Sequence, residues 1–202
     1  MALVPALSPR LAVIADWLPR GCVFADIGTD HALLPTAVTA RDPTARAIAV
    51  DRRAGPLTAA RETVARWGLA TRVDLRLAEG LSAIAPGEVD TVTIAGMGGE
   101  RIIEIFASAP EVSAALTRVI LQPNTDAPRV RRWLTQAGWT LVDERAPTVR
   151  GRVYVTMHAR TSALVPAETS AVGPPGRWSE DAWLLGPHLL RRGGDELATL
   201  VR

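Results

Sequence analysis

The chain has 202 residues, of which 48% are hydrophobic and 22% are charged, and its formal net charge at pH 7 is +2. These values are typical of one folded globular domain and exclude a disordered chain. A single cysteine, Cys22, excludes an internal disulfide and a cysteine-based zinc site. No apolar run approaches the roughly 18 residues of a membrane span, and Pro5, Pro9 and Asp16 interrupt the N-terminus too early for a signal peptide. We therefore expect a cytoplasmic protein with no membrane partner.

All 23 basic residues are arginines. A planar guanidinium can bind phosphate through two hydrogen bonds, which suits nucleic-acid recognition. A GC-rich genome also enriches arginine, together with the abundant alanine, and we prefer that explanation. The net charge alone therefore does not predict nucleic-acid binding.

Strands and helices alternate along the chain. Ser8 and Pro9 predict the start of a first, amphipathic helix, with Ser8 as N-cap, that ends near Pro19. The strands predicted after it are Cys22–Ile27, Ala45–Val50, Val73–Leu77, Asp90–Ala95 and Arg118–Leu121. The helices predicted among these strands are His31–Ala40, Leu57–Trp67, Glu100–Ala107 and Arg129–Ala137. This alternation predicts an α/β fold with a Rossmann-like, doubly wound and mostly parallel sheet.

Two consecutive strands close the predicted sheet. Trp139–Glu144 and Arg152–His158 are predicted to form a hairpin with Gly151 at its turn. Since consecutive hairpin strands run in opposite directions, they add an antiparallel strand near the end of the sheet.

The composition changes after Arg160. Residues 161–177 are rich in Pro, Gly, Ser, Thr and Ala, which predicts a linker or loop after a main domain of residues 1–160. Residues 178–202 have helical character that Gly193-Gly194 would interrupt. We expect two short helices there, as a short C-terminal appendage.

Three carboxylates end successive predicted strands: Asp26, Asp51 and Glu79. In a doubly wound sheet these strand ends line one crevice, which is where such folds bind ligands. Gly28 follows Asp26 closely and can take the positive φ that a sharp strand-to-helix turn demands. Asp51 lies 25 residues after Asp26, near the spacing at which nucleotide-binding folds place the carboxylate that holds a ribose.

Two further motifs follow the later strands. The fourth predicted strand ends in the glycine motif Ala95-Gly96-Met97-Gly98-Gly99, and the fifth predicted strand ends in Gln122-Pro123-Asn124. The order of all these motifs resembles the class I S-adenosylmethionine-dependent methyltransferases. The stretches Ala25–Pro35, Thr93–Gly99 and Leu121–Asn124 resemble, more specifically, the bacterial tRNA adenine-N1 methyltransferases that act at position 22. The resemblance covers residues from about Ser8 to His158, and Leu185–Leu189 resembles the family's entry into its C-terminal region.

This resemblance implies an enzyme that binds S-adenosyl-L-methionine and methylates N1 of an adenine in tRNA without a metal. The first motif would hold the methionine part, the second acid the ribose hydroxyls and the third the adenine. The cofactor-binding residues so implied are Asp26, Gly28, Asp30, His31, Asp51, Arg52, Glu79, Gly80, Gly96, Met97 and Gly98. The family commonly has an aspartate where Glu79 stands, which weakens the adenine assignment. His31 is also explained as a structural residue at a helix start.

The implied chemistry is in-line attack of adenine N1 on the methyl group, for which alignment supplies much of the catalysis. Gln122 and Asn124 are the predicted catalytic residues, and Asn124 would address the exocyclic amine of the base. The alternative, that Pro123-Asn124 only turns the chain, stays open. Because N1 is occupied in a Watson–Crick pair, the target base must be unpaired or flipped out.

For the tRNA we predict contacts from Gly99, Arg129 and Arg132. The two arginines are three residues apart and share a helix face, so they could contact phosphates together. A solvated basic helix start also explains them, and we slightly prefer that explanation. The family usually continues into a long helical hairpin thought to help hold tRNA, which begins close to the end of this sequence, so tRNA recognition is expected to differ or to need another chain.

Two other functions remain compatible with the sequence. One is an NAD-type oxidoreductase. The sequence argues against it, because Asp30 and Leu33 occupy the positions of the second and third glycines of the G-x-G-x-x-G motif. The other is a non-enzymatic RNA-binding protein that retains a cofactor-binding fold. A methyltransferase acting on another RNA is a further alternative. The sequence leaves the exact RNA, the modified position and the oligomeric state open, although we favour a monomer.

Overall fold

The protein, described from a computed structural model over residues 4–165 and 171–201, is built on a central sheet flanked by helices. The strands are β1 (Val23–Ile27), β2 (Arg46–Asp51), β3 (Val73–Leu77), β4 (Thr91–Gly98), β5 (Arg118–Thr125), β6 (Trp139–Arg145), β7 (Thr148–Val149), β8 (Arg152–Val153) and β9 (Thr156–Thr161). The helices are α1 (Pro9–Trp17), α2 (Leu33–Arg41), α3 (Ala54–Arg66), α4 (Gly99–Ala107), α5 (Pro110–Ala115), α6 (Ala127–Gln136), α7 (Glu180–Leu185), α8 (Pro187–Arg192) and α9 (Gly194–Leu200). None of the helices in these ranges is both long and apolar enough to cross a membrane.

The main sheet has seven strands in the order β3-β2-β1-β4-β5-β9-β6. Strands β1 to β5 pair in parallel, whereas β9 is antiparallel to both β5 and β6. The predicted Rossmann-like, doubly wound α/β fold with an antiparallel strand near its end is confirmed. From β1 the chain first adds strands on one side of the sheet, as β2 and β3, and then on the other side, as β4 and β5. Such sheets form a ligand crevice at the point between β1 and β4 where this direction changes.

The apolar residues form a layer on each face of the sheet because alternate residues of a strand point to opposite faces. Phe24 belongs to the layer covered by α1, α2 and α3, whereas Ile27 belongs to the layer covered by α4, α5 and α6. Short buried strands such as β2, apolar on both faces, are typical of a parallel sheet that is covered on both sides.

The closing strands differ from the predicted hairpin. Strand β6 pairs with β9, which begins at Thr156 rather than at Arg152, and a separate two-stranded hairpin of β7 and β8 lies between them. Gly151 is at the turn of that smaller hairpin, with φ +77°. The prediction of a single strand was wrong because polar and apolar residues alternate from Arg152 to His158 without a break. In the structure, the residues up to Val153 pair with β7, whereas those from Thr156 pair with β6 and β5.

Several other boundaries differ from prediction. Strand β4 continues through the glycine motif to Gly98, and β5 continues to Thr125, because the two strands stay paired beyond Leu121 with register shifts near Met97. Pro123 is tolerated there since a bulge does not need its missing N–H.

Two helices also differ from the prediction. Helix α3 begins at Ala54, three residues earlier than predicted, and the short helix α5 was not predicted.

The C-terminal segment forms three short helices in its described part, not the predicted two. Gly186, with φ +106°, and Pro187 separate α7 from α8, in addition to the break at Gly193. Ser179 begins α7 as a true cap, because its side chain accepts a hydrogen bond from the N–H of Ala182 at 3.2 Å. The division into residues 1–160, 161–177 and 178–202 remains a prediction, and residues 166–170 and 202 lie outside the described ranges.

A buried ion pair joins these helices to the rest of the protein. Arg131 of α6 and Glu144 of β6 are fully buried, and Arg131 Nε donates to Glu144 Oε1 at 2.7 Å. The same guanidinium donates to the main-chain oxygens of Trp183, Leu184 and Leu185 at the end of α7. These bonds satisfy carbonyls that the helix end leaves without partners. Arg131 therefore fixes where the C-terminal helices lie.

Replacement of Arg131 by methionine should lower the free energy of unfolding by about 3–5 kcal/mol, because Glu144 would keep a buried, unpaired charge. Arg129→Met is the matched control on the same helix. It removes an exposed pair with Glu100, for which about 0–1 kcal/mol is expected. Urea denaturation measures both values, and equal decreases in the two variants would contradict the structural role of Arg131.

Candidate active site

A cavity of about 730 Å³ opens at the carboxyl ends of β1, β2, β3 and β4. Its volume lies within the range typical of small-molecule sites. The residues predicted to bind the cofactor all line it: Asp26, Gly28, Asp30, His31, Asp51, Arg52, Glu79, Gly80, Gly96, Met97 and Gly98. The structure thus brings the three acidic strand ends and the glycine motif together around one cavity.

Asp51, at the end of β2, is the most firmly fixed of the acidic residues. Its side chain is buried, and its two oxygens accept hydrogen bonds from the N–H of Arg53 at 2.9 Å and of Asp30 at 3.3 Å. The N–H groups of Gly28 and Thr29 donate to the carbonyl of Val50. The loop after β1 is therefore tied to the end of β2, and the carboxylate of Asp51 is held in one position at the cavity wall.

The turn after β1 depends on Gly28. Its φ of +73° confirms the predicted left-handed conformation. A Cβ at this position would lie 2.3 Å from Cε of Met97, so a larger residue would also push the methionine aside. Glycine therefore lets the main chain after β1 lie against the side chain of Met97 in the glycine motif.

Asp26 is the buried carboxyl at the floor of the cavity. It accepts a hydrogen bond from Oγ1 of Thr93 at 2.7 Å. Burial raises the pKa of Asp26 above the value of 3.8 that is normal for an aspartate. The folded protein therefore keeps a proton that the unfolded chain releases near that pH, and the free energy of unfolding falls as the pH rises from 3.8 towards the folded pKa.

We expect Asp26→Asn to abolish this pH dependence while keeping an acceptor for Thr93. The difference in unfolding free energy, variant minus parent, should be constant below about pH 3.8 and should rise in favour of the variant above it. Urea denaturation from about pH 3 to about pH 8 measures the difference. A difference that stays the same over this range would contradict the raised pKa.

Glu79 lies in an environment that the sequence did not reveal. It is exposed and paired with Arg101 of α4 and, at 3.8 Å, with Arg52. Arg101 also lines the cavity, although it was not predicted. Arg101 could have been predicted from its position two residues after Gly99, since the first turn of the helix after a glycine loop faces the same crevice.

His31 is exposed, and its Nε2 lies 3.7 Å from the carboxylate of Asp30.

The predicted catalytic residues lie beside the cavity, linked by a chain of hydrogen bonds. Asn124 Nδ2 donates to the carbonyl of Gly96 at 2.8 Å, and Gln122 Nε2 donates to Asn124 Oδ1 at 3.2 Å. Arg10 of α1 donates through Nη1 to Gln122 Oε1 at 3.1 Å and lines the cavity itself. Because a guanidinium only donates, it orients the amide of Gln122, which in turn orients that of Asn124.

This geometry answers one question that the sequence left open. Pro123-Asn124 is not a turn, because β5 remains paired with β4 as far as Thr125. The contact of Arg10 with Gln122 could not be predicted from the sequence, since nothing in the residue pattern of α1 indicates that this helix reaches the cavity. Arg152 was also missed, and its Nη2 donates to the main-chain oxygen of Asn124 at 3.1 Å.

The residues predicted to contact tRNA lie outside the lining of the cavity. Gly99 is buried, and a Cβ there would come within 2.9 Å of the main-chain oxygen of Thr125, which gives this glycine a packing role. Arg129 pairs with Glu100 at 3.2 Å. Arg132 pairs with Glu180 at 3.2 Å, and its guanidinium lies 4.7 Å from the ring centre of Trp183. Their contact with tRNA remains a prediction.

Comparison with known proteins shows which family the chain belongs to. A family model described as a methyltransferase domain matches residues 7–157. The solved structure of the Bacillus subtilis M1A22 tRNA methyltransferase TrmK is 34% identical, with a TM-score of 0.78 over 93% of this chain and 78% of that one. This chain belongs to the same methyltransferase family.

Two further matches extend the comparison. The tRNA (adenine(22)-N(1))-methyltransferase of Bacillus subtilis strain 168 is 38% identical over 153 residues, which are 76% of this chain and 64% of the relative. The match therefore spans less than two thirds of that enzyme. A Streptococcus pneumoniae protein solved in complex with S-adenosyl-L-methionine is 29% identical, with a TM-score of 0.86 over 97% of this chain and 86% of that one.

Proposed function

We propose that this protein transfers the methyl group of S-adenosyl-L-methionine to N1 of the adenine at position 22 of tRNA. Membership of the family supports the reaction, and the relatives described above support the cofactor and the substrate. The observation that carries the proposal is the hydrogen bond from Asn124 to Gly96, because it joins the predicted base-binding strand to the rim of the cofactor cavity.

The residues around the cavity fit the cofactor. Asp51 offers a fixed carboxylate for the two hydroxyls of a ribose, and Gly28 lets the methionine part approach the main chain. Asp26 places a carboxyl where an ammonium group would be attracted. When bound, the cofactor supplies an activated methyl group on a positively charged sulfur. Glu79 is already paired with Arg101, so we assign the adenine subsite to Gly80 and its neighbours as well as to this side chain.

The protein's own contribution to catalysis is alignment. Asn124 Oδ1 has a lone pair left after it accepts from Gln122, and this lone pair can accept a hydrogen bond from the exocyclic amine of adenine. The acidity of that amine rises as N1 is alkylated, so the bond strengthens towards the transition state. Gln122 is fully buried and holds Asn124 in this orientation. We therefore assign base positioning to Asn124 and its support to Gln122 and Arg10.

The remaining parts of the proposal concern the setting of the enzyme. No group of three or more histidine, cysteine or acidic residues in the described ranges could hold a metal ion, and we propose a reaction without one. We further propose a monomer that acts in the cytoplasm, where a tRNA-modifying enzyme meets its substrate. Light scattering of the purified protein would test the oligomeric state.

The activity is tested by incubating the protein with isotopically labelled S-adenosyl-L-methionine and unmodified tRNA. Digestion and mass spectrometry should identify 1-methyladenosine, and mapping should place it at position 22. Methylation at another position or on another RNA would contradict the assigned target. Cofactor binding without any methyl transfer would instead indicate an RNA-binding protein that retains the fold.

Replacement of Asp51 by alanine should weaken binding of S-adenosyl-L-methionine by about 1–3 kcal/mol, because the ribose hydroxyls would lose a buried partner. Isothermal titration measures the change. Glu62→Ala, which removes an exposed carboxylate on α3, is the control and should bind like the parent. Equal affinities in all three proteins would contradict the ribose assignment.

Asn124→Ala should lower kcat far more than it weakens cofactor binding, because an interaction made mainly in the transition state appears in turnover. We expect a decrease of roughly 10²-fold or more in kcat, comparable to the removal of a single positioned donor or acceptor from an active site. Single-turnover methylation and isothermal titration separate the two effects. A folded variant with parental turnover would show that Asn124 only holds Gly96.

A further inference from the structure

The β7–β8 hairpin (residues 148–153) lies beside the predicted catalytic residues of β5. It contacts α1 on one side and α9 on the other. Arg152 donates to the main-chain oxygen of Asn124, and its guanidinium lies 5.3 Å from the ring centre of Tyr154. Arg10 approaches the same ring at 5.8 Å. The hairpin thus lies next to Asn124, the residue proposed to position the target base.

The charges of the hairpin are not compensated. Arg150 and Arg152 are exposed, and neither forms an ion pair with any carboxylate in the described ranges. Arg129 and Arg132, in contrast, each have a carboxylate partner at 3.2 Å. A phosphate that approaches the hairpin therefore meets two guanidinium groups whose charge is uncompensated within the described part of the chain, whereas on α6 it must compete with existing partners. Uncompensated arginines beside an active site are the features expected of a phosphate-binding surface.

The turn of the hairpin has an unfavourable residue at its first position. Arg150 has φ +50° and Gly151 has φ +77°, and they are the two residues between the paired positions Val149 and Arg152. Two-residue turns of this type prefer asparagine or aspartate followed by glycine. Arginine therefore occupies a position where asparagine would be the more stable choice, and its side chain makes no hydrogen bond within the described ranges that would explain it.

We propose that the β7–β8 hairpin binds phosphates of the RNA strand that carries the target adenine, through Arg150 and Arg152. The proposal rests on the proposed function, and it places the grip on the RNA beside Asn124. It also explains how the strand is held next to the cavity while the base itself enters. The partner is a single-stranded or opened RNA segment, because the target base must leave its stack.

The test uses the full chain and an unmodified tRNA transcript. Arg150→Asn removes the charge while keeping a residue that the turn prefers, so its midpoint of thermal unfolding should equal or exceed that of the parent. The double variant Arg150→Asn/Arg152→Gln removes both charges. The matched control, Arg61→Gln/Arg66→Gln, removes two exposed arginines from α3, which packs against β2 and the edge strand β3. Affinity for tRNA is measured at several salt concentrations, and affinity for S-adenosyl-L-methionine is measured separately.

We expect the slope of log affinity against log salt to flatten by about 0.7–0.9 for each phosphate that the variant no longer neutralises. This should occur in the hairpin variants and not in the control, while Arg150→Asn keeps the parental cofactor affinity. A parental slope in both hairpin variants would overturn the proposal, as would a slope that flattens only in Arg129→Gln/Arg132→Gln. If the parent binds tRNA but transfers no methyl group, the proposed function fails, and the slopes still decide the role of the hairpin.

Discussion

The candidate site depends most on the pairing of β4 with β5, which continues past Ile94, the last residue at which β4 pairs with β1. Parallel pairing brings the ends of all five strands to one side, but β4 and β5 continue together through the glycine motif with two register shifts. The bond from Asn124 to Gly96 closes this extension. The result is a hydrogen-bonded connection between the rim of the cavity and the end of β5, and the proposed methyl transfer between two bound molecules would require such fixed geometry.

The second constraint is the buried pair of Arg131 and Glu144. Arg131 lies just after β5 in the chain, since α6 begins two residues beyond Thr125. The helix that follows β5 therefore also anchors the C-terminal helices. Glu144 accepts a further hydrogen bond from the N–H of His188, which ties α8 to the same point. One helix, α6, thus connects the end of β5 to the C-terminal segment.

Much of the cofactor cavity could be predicted because it follows from local patterns. Asp26 and Asp51 each come directly at a strand end, and the parallel topology alone brings such positions together. The contacts of Arg10 and Arg152 could not be predicted in this way. Arg10 and Gln122 are 112 residues apart, and no periodicity in either segment encodes their contact. The pairing of Glu79 with Arg101 likewise depends on how α4 packs, which short motifs do not specify.

The central claim is that one crevice holds the cofactor with its reactive end towards Asn124. The most direct test is a crystal structure of the protein with S-adenosyl-L-methionine and adenosine monophosphate. We predict electron density for the ribose of the cofactor beside Asp51, for its amino acid part beside Asp26 and Gly28, and for the adenine base against Asn124. Density for the cofactor in the reverse orientation, or for the base on a surface away from Asn124, would contradict the account.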